Sequence, residues 1–272
     1  MIYLLSDEGR EALKRVVSRS ILYAFDFDGT LAKLSPQRGS VKLSPTSHEW
    51  LRELSRRVPC AVVSGRSLDD LAPRLNGAVP YLIGNHGMES PLTPAAVLRE
   101  RERICEGWAK QAMEDMAGLF ADSRVVMENK RYSLTVHYRG GEDSTEIEQA
   151  VLESAKRLVP SPNLIRGKAS LNVLPPGHAG KGEAALALMT HLGCADLFFI
   201  GDDETDEAVF TLKEGLAMGV RVGHHADSRA RYFVKYQTEV EDVLRFLVHR
   251  LDGTPDRPSD RTTVWAARKK SV

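Results

Sequence analysis

The hydrophobic positions of the chain fall into short runs that are separated by helical patterns. Five of these runs are typical of strands buried on both faces of a parallel sheet. They are ILYAFDF (21–27), CAVVSG (60–65), PYLIGNHG (80–87), DLFFIGDD (196–203) and GLAMGVRVG (215–223). Because helical patterns alternate with them, the sequence predicts an α/β fold, a doubly wound parallel sheet with helices on both faces.

The predicted helices have clear starts and apolar stripes. In SPTSHEWLRELSRR, Ser44 is a suitable N-cap residue and Pro45 fits the first helical position. Three further segments have helical patterns: SLDDLAPRL, KGEAALALMTHL and TEVEDVLRFLVHRL.

One segment, residues 92–174, does not follow this alternation. It contains a long amphipathic helix, the hairpin-like stretch VVMENKRYSLTVHYR, a second helix and the strand-like KASLNVLP. We therefore expect an α+β module inserted into an α/β core that is formed by residues 1–91 and 175–251. The polar, basic residues 252–272 are expected to be a flexible tail.

Composition narrows the possible partners and the compartment. The 272 residues carry no formal net charge, so nothing favours a nucleic acid or a membrane surface as partner. Three well-separated cysteines fit neither a disulfide framework nor a zinc site and favour the reducing cytoplasm. No apolar run approaches a membrane span, and the first one is too short for a signal peptide. The sequence does not determine the oligomeric state, and a monomer is the expectation.

Polar residues follow the predicted core strands at the ends where ligands gather in parallel sheets. Asp26 and Asp28 follow the first strand, Ser64 the second, and Asp202 the strand that begins at 196; Lys181 lies near a helix start. A strand end can direct Asp26 and Asp28 to one point, and clustered carboxylates need a cation or a chemical role.

These residue types suit phosphoryl transfer through an aspartyl intermediate. One carboxylate can attack phosphorus, a second can protonate the leaving alkoxide, and a divalent cation can neutralise the repulsion between them and the phosphate. A hydroxyl and an ammonium group can bind the phosphoryl oxygens. Each motif alone also has a structural explanation: a turn, a loop triplet, a helix-start lysine, or acids that cap a helix.

The motifs DFDGTL, SGR, a lysine after a glycine-rich turn, and GDDETDE, in this order, resemble those of the haloacid dehalogenase superfamily of phosphatases. The resemblance implies that Asp26 is the nucleophile and Asp28 the general acid and then base. It also implies that Asp26, the Asp28 carbonyl and Asp202 bind Mg²⁺, and that Ser64 and Lys181 hold the phosphate.

The same resemblance also implies functions for two further acids and for the inserted module. Asp203 and Asp206 are expected to orient water or Lys181 from behind the reacting groups. The module lies between the second and third motifs, where the larger kind of cap occurs in this superfamily, and is expected to select the substrate and to close over the core.

The cap carries a more specific resemblance. GNHG (84–87), Glu128-x-Lys130 followed by His137-Tyr138-Arg139, PPGHAGKG and GDDETDE together resemble trehalose-6-phosphate phosphatases. The substrate-binding residues that this implies are Gly65, Arg66, His86, Glu128, Lys130, Arg139 and Asn172. In the cap strand Ser133, Thr135 and His137 form a polar face, which either recognises sugar hydroxyls or is solvated. For His137, packing within the sheet is as well supported as a sugar contact.

One departure from the family pattern leaves the sugar open. Asn172 and Leu174 stand where the family usually has Glu and Arg, and a neutral hydrogen bond is weaker than a charge-assisted one. The predicted reaction is Mg²⁺-dependent hydrolysis of trehalose 6-phosphate. The alternatives are hydrolysis of a sucrose, mannosylglycerate or hexose phosphate, a phosphomutase reaction, or metabolite sensing without catalysis.

Overall fold

Two separate β-sheets organise the chain in a computed structural model. It describes residues 1–17, 20–35, 37–138, 144–167, 169–177, 180–213 and 215–253. The strands are β1 Ile2–Tyr3, β2 Ile21–Phe25, β3 Cys60–Val63, β4 Tyr81–Ile83, β5 Val125–Asn129, β6 Leu134–Tyr138, β7 Asn163–Gly167, β8 Ser170–Leu174, β9 Asp196–Gly201, β10 Ala217–Val222 and β11 Tyr232–Val234. The helices are α1 Asp7–Val16, α2 Pro45–Ser55, α3 Leu68–Leu75, α4 Ala95–Asp115, α5 Ala117–Phe120, α6 Ser144–Ala155, α7 Gly180–His191, α8 Glu207–Phe210 and α9 Glu239–Leu251.

The larger sheet is parallel, with the strand order β1-β11-β10-β9-β2-β3-β4. Every residue of the interior strand β2 is buried. Tyr23 and Phe25 pack on one side with residues of α1, α2 and α9, while Leu22 and Ala24 pack on the other with residues of α7. Helices therefore cover both faces, and the predicted doubly wound α/β core is confirmed.

The smaller sheet is antiparallel and lies in the inserted segment. Its order is β5-β6-β8-β7, and one face packs on α4 and α6 through residues such as Trp108, Val136 and Val151. The long amphipathic helix predicted in this segment is α4, which ends at Asp115 and is followed by the short helix α5. The expected α+β insertion is confirmed as part of the fold. The chain passes from the core into the cap near Met88 and returns near Leu174, and both residues pack against Tyr132.

Local signals in the sequence agree with the helix that follows Ser44. Its side chain accepts a hydrogen bond from the Ser47 amide at 2.9 Å, as an N-cap residue does, and Pro45 is the first helical residue. The Ser44 hydroxyl also donates to Glu241 of α9 at 2.6 Å, so this cap joins two helices.

Two expectations concern the ends of the chain and the membrane. Within the described residues, no helix is long and apolar enough to cross a membrane. The predicted tail begins at Asp252, whose carboxylate accepts two hydrogen bonds from Arg57, at 2.8 and 2.9 Å. Residues 254–272 lie outside the described part of the chain.

Candidate active site

The candidate site lies at the carboxyl edge of the parallel sheet. Strand β2 pairs with β9 on one side and with β3 on the other, so three strand ends lie next to one another. Asp26 follows β2, Ser64 follows β3 and Asp202 follows β9. The amide of Asp26 still donates to the Ile200 carbonyl at 2.9 Å, which fixes the start of this loop to the neighbouring strand.

Lys181, from the first turn of α7, lies between two of the carboxylates. Its Nζ donates to Asp26 Oδ1 at 2.7 Å and to Asp206 Oδ1 at 2.8 Å. The three side chains are almost fully buried, with exposed fractions of 3% for Lys181, 4% for Asp26 and 0% for Asp206. An ammonium group has three donors, and within the described residues two of them are used, so the third N–H can bind a ligand.

Asp206 fixes the loop that follows β9. Its Oδ2 accepts from the amides of Asp202 and Asp203 at 2.9 and 3.0 Å, while its Oδ1 binds Lys181. Asp203 caps the 3₁₀ turn Glu204–Asp206 by accepting from the Glu204 amide. Asp206 therefore holds both Lys181 and the backbone that positions Asp202.

A glycine allows Asp202 to approach the first loop. Gly29 has φ +82°, and a Cβ at this position would lie 2.1 Å from Asp202 Oδ2. Its conformation and its missing side chain are thus both required, since L-residues avoid this φ region. Next to it, the Thr30 hydroxyl donates to Asp202 Oδ1 at 3.1 Å and orients the carboxylate.

The electrostatics of the cluster are dominated by burial. Burial raises the pKa of Asp26 well above its usual range; Lys181 lowers it, and Asp206 and Asp202 raise it further. Burial, reinforced by Asp206, raises the pKa of Asp202 to about 7. Burial lowers the pKa of Lys181, but the pairs with Asp206 and Asp26 outweigh it and raise the value overall.

The donor set fits a divalent cation. Ligand atoms of Asp26, Asp202 and Asp206 lie within 4.8 Å of one another. When all three carboxylates are ionised, the single ammonium group leaves two excess negative charges, which a hard divalent cation with oxygen ligands would neutralise. Both oxygens of Asp206 already accept hydrogen bonds, whereas the Oδ2 atoms of Asp26 and Asp202 accept none from the described residues. The residues best placed for a metal are therefore Asp26 and Asp202.

Asp28 faces a guanidinium group. Arg66 Nε donates to Asp28 Oδ2 at 2.6 Å and Arg66 Nη2 donates to Asp28 Oδ1 at 2.7 Å. The sequence predicted Arg66 as a substrate contact; the structure gives it Asp28 and Asp70 as partners. The Arg66 amide also donates to the buried Ser64 hydroxyl at 3.2 Å, which holds this loop below β3.

Gly65 and His86 pack directly against each other. A Cβ on Gly65 would lie 2.5 Å from the His86 ring, so only glycine leaves room for it. His86 has φ +56° and is 7% exposed, and its amide donates to the Ser64 carbonyl at 3.0 Å. The structure thus brings both predicted residues to the Ser64 loop.

The cap reaches the same loop through Lys130. Its Nζ donates to the Gly65 carbonyl at 3.0 Å, and its own carbonyl accepts from Asn85 Nδ2 at 3.2 Å. Asn85 also accepts from the Ser133 hydroxyl at 2.6 Å and donates to Glu89 at 2.7 Å. Asn85 lies in the GNHG motif, from which only His86 was selected as a site residue, and Glu89 gave no recognisable signal in the sequence.

The other predicted cap residues differ in accessibility. Glu128 is exposed and lies 2.8 Å from His137 Nε2, so His137 pairs across the sheet. Asn172 is 6% exposed; it accepts from the Thr135 hydroxyl at 2.9 Å and donates to the Ile165 carbonyl at 3.4 Å. Arg139 lies outside the described residues. Ser133 and Thr135 are buried, so the predicted polar face is neither wholly solvated nor wholly open to a ligand.

A cavity of about 210 Å³ lies between the α/β core and the cap. It is lined by the predicted site residues Arg66, Glu128 and Lys130. Asp70 and Arg74 of α3, which no sequence pattern marks as site residues, also line it. Its lining consists of Gly39, Arg66, Ser67, Asp70, Arg74, Glu128 and Lys130. Asp70 and Arg74 are four apart on a predicted helix, a spacing that indicates an ion pair but not its location.

Comparisons with known proteins agree with this geometry. The family model described as trehalose-phosphatase matches residues 24–253. The chain is 27% identical, over 85% of its length and 70% of the relative's, to "Probable trehalose-phosphate phosphatase 3" of Oryza sativa subsp. japonica. It is 30% identical, over 78% of its length, to "Trehalose-phosphate phosphatase" of Mycobacterium tuberculosis, of which it spans only 56%.

A solved structure shows the same fold. The C-terminal domain of the trehalose-6-phosphate phosphatase of C. albicans aligns with a TM-score of 0.71 at 20% identity, covering 88% of this chain and 97% of that one. The family match covers the strand ends described above, the whole cap and α9. The chain therefore belongs to the trehalose-phosphatase family.

Proposed function

We propose that the protein hydrolyses trehalose 6-phosphate to trehalose and inorganic phosphate, with Asp26 as the nucleophile. The observation that carries the proposal is the buried Asp26 carboxylate at the end of β2, held by Lys181 at 2.7 Å, with Asp28 two residues further along. The family match supports the substrate.

The first step transfers the phosphoryl group to the protein. An Asp26 oxygen attacks phosphorus, and the bond between phosphorus and the sugar oxygen breaks. Asp28 gives a proton to the leaving sugar oxygen, so neutral trehalose departs and an aspartyl phosphate remains. Asp28 accepts one hydrogen bond from Arg66 on each oxygen, so one oxygen has to leave this pair to carry the proton, while the other can stay on Arg66 and keep the group oriented.

The second step releases phosphate. Asp28 takes a proton from water as the water oxygen attacks phosphorus, the bond to Asp26 breaks, and the Asp26 carboxylate is restored. In both steps the remaining N–H of Lys181 and the Ser64 hydroxyl are the proposed donors to the phosphoryl oxygens, where charge accumulates. Burial of Lys181 and Ser64 strengthens these interactions because little water competes for them.

Mg²⁺ is the proposed cofactor, and Asp26, Asp202 and the Asp28 carbonyl would hold it. When bound, it would neutralise the excess negative charge of the cluster and of the phosphate, which otherwise oppose the attack by Asp26. Asp206 and Thr30 orient Asp202 for this purpose.

The cap is the proposed site of sugar recognition. Glu128, Lys130 and Arg139 are the proposed contacts, and the cavity that Glu128 and Lys130 line supports this assignment. We further propose that residues 92–174 act as the cap domain, and that the protein is cytoplasmic, a location that rests on the cysteine pattern. Hydrolysis of another sugar phosphate is the alternative, favoured by Asn172, whose side chain is uncharged and engaged within the cap sheet.

Phosphate release with and without Mg²⁺ tests the proposal. Trehalose 6-phosphate should be hydrolysed faster than sucrose, glucose or mannose 6-phosphate, and EDTA should abolish the reaction. Asp26→Asn should remove turnover with the fold retained, while Asp196→Asn, exposed at the opposite end of β9, should not change it. Residual activity in Asp26→Asn would refute the nucleophile, and preference for another ester would refute only the sugar.

A further inference from the structure

Arg66 links the proposed general acid to helix α3. Its Nε and Nη2 atoms donate to the two oxygens of Asp28, and its Nη1 donates to Asp70 Oδ2. Its guanidinium also lies over the ring of Phe27, 5.6 Å from the centroid. The Arg66 side chain is 10% exposed, so the group is fixed from three sides near the reacting carboxylates.

Asp70 is held in turn by a second arginine. Arg74 Nε and Nη2 donate to Asp70 Oδ1 at 3.0 and 2.6 Å, one helical turn further along α3. Arg74 Nη1 donates to the carbonyl of Val41 at 2.6 Å and to that of Gly39 at 3.2 Å. Arg74 is thus anchored to the backbone of a different loop, which fixes the orientation of Asp70.

These contacts form one chain of ion pairs from the loop at residues 39–41 to Asp28. The pair of Arg66 with Asp28 is bidentate, so it restricts orientation as well as distance, and Asp70 joins the two arginines through one oxygen each. Loss of the Asp70 carboxylate would remove the ion pair that ties the long Arg66 side chain to α3, and Asp28, its other ion-pair partner named above, is itself on a loop. The position of the Asp28 carboxyl group then depends on groups that do not touch the substrate phosphate.

We propose that Asp70 and Arg74 are positioning residues for general acid–base catalysis, because they fix the Arg66 guanidinium that orients Asp28. This inference rests on the proposed function, in which Asp28 protonates the leaving oxygen. Asp70 also lines the cavity with Glu128 and Lys130, so a direct sugar contact is the competing role that the experiment has to separate.

Leaving groups of different acidity separate the two roles. A poor leaving group needs a proton from Asp28, whereas p-nitrophenolate leaves without one, and neither p-nitrophenyl nor phenyl phosphate carries a sugar. The ratio kcat/KM reports the first irreversible step, the transfer to Asp26. We expect Asp70→Asn to lower kcat/KM about tenfold more for phenyl phosphate than for p-nitrophenyl phosphate, a part of what general acid catalysis contributes.

Several variants complete the design. Asp28→Asn gives the full effect of losing the acid, and Asp70→Glu should recover part of the loss because it keeps the charge. Asp122→Asn is the matched control. Asp122 has a similar exposure to Asp70 and also pairs with an arginine, Arg124, but it is not part of the chain of ion pairs that reaches Asp28. It should affect both esters equally.

A double-mutant cycle tests whether Asp70 acts through Asp28. With the sugar phosphate that the wild type hydrolyses fastest, Asp70→Asn should have little further effect on kcat/KM in the Asp28→Asn background. Two results would overturn the inference. One is that Asp70→Asn lowers kcat/KM equally for both aryl esters. The other is that it lowers kcat/KM only for the sugar phosphate and still does so in the Asp28→Asn background. If Asp28→Asn itself lowered both aryl esters equally, the acid assignment would fail, and the inference with it.

Discussion

Replacement of Lys181 by methionine tests the buried centre of the site most directly. Methionine has a similar length but no charge, so the variant removes two charge-assisted hydrogen bonds, to Asp26 and Asp206, without a large cavity. Each such bond contributes about 1.5–3 kcal/mol, and relief from burying the ammonium offsets part of the loss. Removal of one partner from a buried pair typically costs about 3–5 kcal/mol, because the other charge stays buried without compensation.

This magnitude predicts a measurable change in thermal stability. For a chain of this size, 1 kcal/mol corresponds to about 2–4 °C in Tm, so Lys181→Met should melt about 10 °C below the wild type in EDTA. Lys14→Met is the matched control: its pair with Glu11 is exposed, and the change should stay within about 0.5 kcal/mol. Equal melting of the two variants in EDTA would show that the ion pairs of Lys181 do not form as described.

Three further changes follow from the contacts around the site. Gly29→Ala should lower kcat about 10²-fold, because the added Cβ would displace the Asp202 carboxylate. Gly77→Ala is the control: Gly77 has a similar φ but open space around it, so this change should cost only about 1–2 kcal/mol of stability and leave kcat unchanged. Burial raises the pKa of Glu89, so the wild type should lose stability as pH rises from the ordinary glutamate pKa, about 4.3, towards the folded-state value. Asp26 and Asp202 also have raised pKa values, so Glu89→Gln should make the fall in Tm between pH 4 and 7 shallower without removing it; an unchanged slope would contradict this reasoning. Asn172→Glu restores the family's usual charge but inserts it into a buried strand pair, so Tm should fall and KM for trehalose 6-phosphate should not improve; a lower KM would show that residue 172 reaches the sugar.

The core strands could be predicted because parallel strands buried on both faces are continuous apolar runs. β2 and β9 are such runs, and the structure contains them within the predicted limits. The edge strand β1 and its neighbour β11 have only two and three residues, too few to show a pattern. Strand β7 was also missed, because its side chains are largely exposed or half-buried and carry no clear alternation.

The candidate site could be predicted as a set of residue types but not as a set of partners. The order of motifs and the strand ends are enough to select Asp26, Ser64 and Asp202. The choice of Asp28 rather than substrate as the partner of Arg66 depends on distances between loops 38 residues apart, which no local pattern contains. Asn172 illustrates the same limit: the family resemblance selects it as a sugar contact, but only the packing shows that its carbonyl oxygen accepts from Thr135.

The contacts of the cap with the core also restrict how the cap can close. The segments that connect the core with the cap, 88–96 and 174–180, begin at Met88 and Leu174, and both side chains are fully buried against Tyr132. Asn85, itself buried, joins the same turn of the cap to the core through Lys130 and Ser133. A rotation that opened the cap at this turn would break these hydrogen bonds and expose the apolar contacts, and both changes cost free energy.

We therefore expect closure to pivot about residues 130–133, with the larger displacement at the opposite end of the cap sheet. Chemical shift or hydrogen-exchange changes on adding a phosphate analogue should then be small at Tyr132 and Ser133; large changes there would place the hinge elsewhere.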